Sequence, residues 1–73
     1  MQIYHGANSG VSAYQIGSDF IVVQFRSGEG YLYNHLSPGR RHVTAMKKLA
    51  VRNEGLATYI SRHVRENYAE KLA

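Results

Sequence analysis

Cysteine is absent, so disulfide staples and thiolate metal sites are both excluded. The lack also suits a reducing cytoplasm, and a cytoplasmic location is expected. Long apolar runs are missing too. The stretch around Ile21-Val22-Val23 is far too short to cross a bilayer. Met1 to Gly10 has no basic start and no apolar segment, so a signal peptide is not expected, nor is a membrane partner. Acidic residues are few, 5 Asp plus Glu against 9 Lys plus Arg, a formal charge of +4. From Phe20 through Asn53 the only acid is Glu29. A basic surplus favours anionic partners.

Length sets a further limit. The 73 residues suffice for one domain. A domain this small buries only about 60% of the surface its unfolded chain exposes. With no disulfide available, a partner subunit is one remaining source of stability.

What is present reads as strands followed by helices. Residues 1–9 look like a loosely ordered lead-in, with turn-prone Gly6, Asn8 and Ser9. Val11 to Ile16, Phe20 to Arg26 and Tyr31 to His35 read as three strands. Gly17-Ser18-Asp19 and Ser27-Gly28-Glu29-Gly30 are the turns between them. If both turns are even in length, the strand faces follow from the alternation of side chains. One face carries Tyr14, Ile16, Ile21, Val23, Phe25 and Leu32, the more aliphatic set and the expected core. The other carries Val11, Ala13, Phe20, Val22, Tyr31 and Tyr33, with Gln24 and Arg26. An odd loop or a bulge would break this assignment.

Beyond the strands the period becomes helical. Ser37-Pro38 is a start signal, Ser as N-cap and Pro in the first position, with Gly39 able to delay the start by a few residues. Val43, Met46, Leu49 and Ala50 share a face. Asn53-Glu54-Gly55 is a stop. Leu56, Tyr59, Ile60, His63 and Val64 then form a second apolar stripe, which Tyr68 continues, and Leu72 lies near an end expected to fray. The expected fold is α+β: a three-stranded antiparallel meander followed by two packed helices.

Phe25, Gly28, Tyr31, Tyr33, Gly55, Leu56, Tyr59, Ile60, Val64 and Tyr68 together resemble the KTSC domain, a module named after a C-terminal extension of lysyl-tRNA synthetase. The resemblance runs from about Ser9 to Tyr68, making residues 10–68 the KTSC-like core of a single domain 1–73. Two positions depart from the family pattern. His35-Leu36-Ser37-Pro38 replaces a Val-Pro after the third strand, and Ala57 stands where an Asn often follows the Gly-aromatic pair. The resemblance implies contact with RNA or RNA-handling proteins and supplies no catalytic residue.

No catalytic pattern is visible. Ser12, Ser27, Ser37 and Ser61 form no nucleophile elbow. Gly28 and Gly30 lie between strands, so they are turn residues rather than a dinucleotide loop. His5, His35, His42 and His63 show no helical ligand spacing, and neither a metal nor a cofactor is expected. His63, in the apolar stripe, is expected to be partly buried and hydrogen-bonded. The charges of Arg62, Arg65, Glu66 and Glu70 offset one another and read as solubility.

Two clusters carry functional expectations. Arg40, Arg41, Lys47, Lys48 and Arg52 form a cationic helix surface suited to phosphates. Tyr31 and Tyr33, with Arg26 at the edge, would stack unpaired bases of RNA or single-stranded nucleic acid. The alternatives are a solvated helix face for the first and, for the second, a homodimer or protein interface built on Phe20, Val22, Tyr31 and Tyr33.

Overall fold

A computed structural model describes every residue except Ala7, Asn8 and Ala73. It is an α+β fold with one antiparallel sheet of five strands in chain order. The strands are β1 (Gln2–Ile3), β2 (Val11–Ile16), β3 (Phe20–Phe25), β4 (Gly30–Asn34) and β5 (Glu70–Leu72). Between β4 and β5 come α1 (Arg40–Arg52), α2 (Leu56–Tyr59) and a π turn (Ile60–Val64) that prolongs α2.

The meander is therefore longer than expected by a strand at each end. The supposed lead-in pairs through Gln2 opposite Tyr14 and Ile3 opposite Ala13. Tyr4 follows it into the core at 3% exposure, and its hydroxyl accepts the Leu56 N–H at 3.1 Å. The His5 N–H donates to Asn53 Oδ1 at 2.9 Å. The first segment is thus tied to the corner between α1 and α2. The part of the lead-in at Ala7 and Asn8 lies outside the described residues. At the other end, Leu72 is not frayed but paired: Glu70 to Leu72 run along Leu32 to Gly30.

The strand faces correct the even-turn expectation. The β3–β4 turn is odd. Phe25 and Glu29 close it, with the Phe25 N–H donating to Glu29 O at 2.8 Å and the Gly28 N–H to Phe25 O at 2.9 Å. Three residues, Arg26-Ser27-Gly28, stand between them. Gly28 takes φ 99°, a left-handed geometry in three-residue hairpin loops that favours glycine. A one-residue change of register flips every side chain that follows. Tyr31 and Tyr33 consequently lie opposite Val23 and Ile21, on the core face, and Leu32 lies opposite Val22 on the other. A second irregularity, between Val11 and Ala13, brings Val11 opposite Phe25 and fully buries it. The β2–β3 turn is even, so Tyr14, Ile21 and Val23 face the core as expected.

Helix α1 lies on β3 and β4 and buries Val43, Met46 and Ala50. It starts at Arg40, after Gly39, so Ser37 is not its N-cap. Ser37 instead belongs to a turn in which Asn34 Oδ1 accepts the N–H groups of Leu36 and Ser37. At the far end Asn53 adopts φ 55°. The Glu54 N–H reaches Leu49 O, and the Asn53 N–H reaches Ala50 O, a paired closure that satisfies the last carbonyls. The second stripe buries Leu56, Ile60 and Val64, but His63 is exposed. The chain widens there to i, i+5 bonding, with the Arg65 N–H on Ile60 O, and the wider turn rotates His63 off the buried side.

Candidate nucleic-acid interface

Helix α1 turns one side to the sheet and the opposite side to solvent. Arg40, Arg41, Lys48 and Arg52 are all exposed on it, and it carries no acidic residue. Among the described residues the only ion pair is Lys71 with Glu29, and the helix cations take part in none. Arg40 and Arg41 occupy the first turn, where the helix dipole is already positive. Cations there cost about 0.3–1 kcal/mol each and raise the local positive potential. Lys47 is different. Its ammonium donates to Gly17 O at 2.7 Å and Ser18 O at 3.0 Å, fastening α1 to the β2–β3 turn.

The aromatic half of the expected site is reorganised. Phe20 and Val22 lie on the outer sheet face, while Tyr31 and Tyr33 point to the helices. Tyr33 is 1% exposed, which removes it as a stacking surface. Tyr31 is half-buried and already packed: its ring centroid is 5.7 Å from Phe25 and 4.7 Å from Tyr68. The Tyr31 hydroxyl donates to Glu29 Oε2 at 3.1 Å, and Lys71 Nζ is 3.3 Å from the same oxygen. Hydrogen bonds from Tyr31, Lys71 and Ser27 together hold the Glu29 carboxyl below its usual range. Desolvation first, and then the Glu29 contact, raise the Tyr31 phenol. The Glu29 hydrogen bond likewise raises Lys71.

These residues form one side of a groove of about 650 Å³. Its other side is Ala57, Ile60 and Ser61 on α2 and the π turn, with Arg65 and Tyr68 beyond. Arg26 stands at the turn end, its Nε donating to Ser9 O at 2.8 Å. Of the sequence candidates, Arg26, Tyr31 and Tyr33 meet here, whereas Arg40, Arg41, Lys48 and Arg52 lie on the α1 surface. Arg65 and Tyr68 complete the groove but have no place in the sequence-based set. Only the continuation of the apolar stripe to Tyr68 pointed toward it, because their neighbours are created by β5.

The floor has one measurable property. Burial, reinforced by the nearby phenols of Tyr31 and Tyr68, pushes Tyr33 up to about 12. A phenol in the unfolded chain loses its proton near 10. Between those values the unfolded state holds fewer protons than the folded one, so stability is unaffected below about pH 10 and falls as pH rises toward 12. The loss should reach about 2–3 kcal/mol. Urea midpoints measured across this range should show it, and Tyr33→Phe should flatten the slope.

A second aromatic cluster lies on the helices. His42 Nδ1 is 2.7 Å from the Tyr59 hydroxyl, and the His63 ring packs on Tyr59 with centroids 4.5 Å apart. Among the described residues no three His, Cys, Asp or Glu side chains gather to hold a metal ion. No described helix is long and apolar enough to cross a membrane. No protein-family model, curated protein or solved structure matches the chain.

Proposed function

We propose that the chain is a non-enzymatic module that binds RNA or single-stranded nucleic acid, with the exposed side of α1 meeting the phosphates. The observation that carries this reading is the set Arg40, Arg41, Lys48 and Arg52: exposed, on one helix without an acid, and without an ion-pair partner among the described residues. An ordinary solvated helix mixes signs and stabilises itself with i, i+4 pairs. This one keeps repelling charges together, and its first turn sets two of them against the helix dipole. Phosphates relieve both costs. The resemblance to the KTSC domain, with its link to a tRNA synthetase, points the same way. Lys47 holds the helix in place rather than contacting the strand.

Titration of a labelled oligouridylate across salt concentrations tests the reading. Four neutralised phosphates predict a slope of log K against log salt near −3. Binding indifferent to salt, or none below millimolar at low salt, would overturn it.

A second reading has its own support. On the outer sheet face Phe20 and Leu32 are only partly buried, beside a Val22 that is 9% exposed, and all three lie outside the cluster under the helices. Ile3, 67% exposed, and Leu72, 36% exposed, extend that apolar surface toward the two edge strands. A protein partner or a second copy would bury it. Sedimentation of the protein alone discriminates: a dimer at micromolar concentration favours this reading, a monomer that shifts RNA favours the first.

A further inference from the structure

We propose that the groove between the β3–β4 turn and the π turn receives a single base of the bound strand, with Arg26 and Arg65 taking its flanking phosphates. The inference rests on the nucleic-acid reading above and adds to it a second site, away from α1.

Four observations converge. First, the groove has the size of a small-molecule site, about 650 Å³ within the usual range of about 300–1,000 Å³. Second, its walls are Phe25, Tyr31 and Tyr68, with Ala57 and Ile60 behind them, which suits a flat apolar-faced ligand. Third, its floor brings a phenol to the site, that of Tyr33. Tyr33 is almost wholly buried and makes no hydrogen bond to another described residue. Tyr33 is nonetheless one of the residues that line the groove. An acyl chain or another purely apolar occupant offers that hydroxyl no hydrogen bond. A ligand with a polar edge, as every nucleobase has, would satisfy it.

Fourth, the charges at the mouth are arranged for an anion. Lys71 neutralises Glu29, which removes that carboxylate as a repelling charge. Arg26 is held through its Nε on Ser9 O, leaving its terminal nitrogens for a phosphate. Arg65 is exposed at the end of the π turn. Glu66 is the one remaining acid on the rim.

The test compares an oligouridylate of about twelve nucleotides with an abasic oligonucleotide of equal length. The wild-type protein should bind the base-bearing strand at least about 5-fold more tightly, the lower end of one stacked base. Tyr68→Ala should erase that preference without altering abasic binding. Tyr33→Phe keeps the ring and removes only the hydroxyl. It should weaken the base-bearing strand by about 2- to 12-fold, and it decides the matter if Tyr68→Ala fails to fold. Equal affinity for the two strands, or unchanged binding by both variants, overturns the base site while salt-dependent binding through α1 stands. Absence of binding to either strand overturns both readings together.

Discussion

A chain carrying Arg41→Glu, Lys48→Glu and Arg52→Glu should lose nearly all affinity for single-stranded nucleic acid at physiological salt and still fold. The three side chains are exposed and make no ion pair among the described residues, and the helix dipole favours Glu at 41 while disfavouring it at 52 by about 0.3–1 kcal/mol each, so the net change in stability should be small. Binding responds differently. With three of the four α1 phosphate contacts gone, the part of the salt slope that α1 contributes should fall from near −3 to shallower than about −1. Like-charge repulsion from the new carboxylates lowers affinity further. Anisotropy titrations at two salt concentrations, with circular dichroism as the check on folding, measure both halves. A variant that binds as the parent does would remove α1 from the interface. Lys47→Ala offers a contrast: it should loosen the β2–β3 turn through loss of the Gly17 and Ser18 contacts while leaving the salt slope unchanged.

The second large effect is on stability. Met46→Ala empties a fully buried position on the α1 face that covers the sheet. Such truncations cost about 2–5 kcal/mol, depending on how far the surroundings collapse. A domain of this length has a total of about 4–11 kcal/mol. The variant should therefore lose a large part of its stability, and at the upper end unfold at room temperature. Val51→Ala, at an exposed position on the same helix, should leave the urea midpoint almost unchanged. Parallel denaturation curves settle the comparison, and similar midpoints for the two would place the core elsewhere.

Much of the fold was legible where a pattern repeats. Val43, Met46 and Ala50 recur at helical spacing and are buried, and Asn53 stops the helix as its type suggests. Strands β2 to β4 were visible as apolar runs between turn residues. Parity was not visible. Whether Tyr31 and Tyr33 face outward or inward hangs on one residue in the turn. Ser27-Gly28-Glu29-Gly30 is compatible with even and odd closures alike, and Gly28 at φ 99° selects the odd one. The edge strands were hidden for another reason. Gln2–Ile3 and Glu70–Leu72 are too short to show alternation, and each is held by the strand beside it rather than by its own propensity. The candidate interface divides along the same line. The α1 cations are close in sequence and were readable as a cluster. The groove joins Arg26 and Tyr31 to Arg65 and Tyr68, and only the return of the chain to β4 brings them together.

The strand order has a consequence for how the molecule comes into being. Each of β2 to β4 lies beside the strand that precedes it in the chain, so these pairings close through short connections at little entropic cost. They can form in succession as the polypeptide leaves the ribosome. Strand β5 alone must wait, because its neighbour β4 lies on the far side of both helices. A nascent chain would therefore present an open β4 edge until the last turn of helix has docked. The groove with its Tyr68 wall would be completed only after the rest of this sheet.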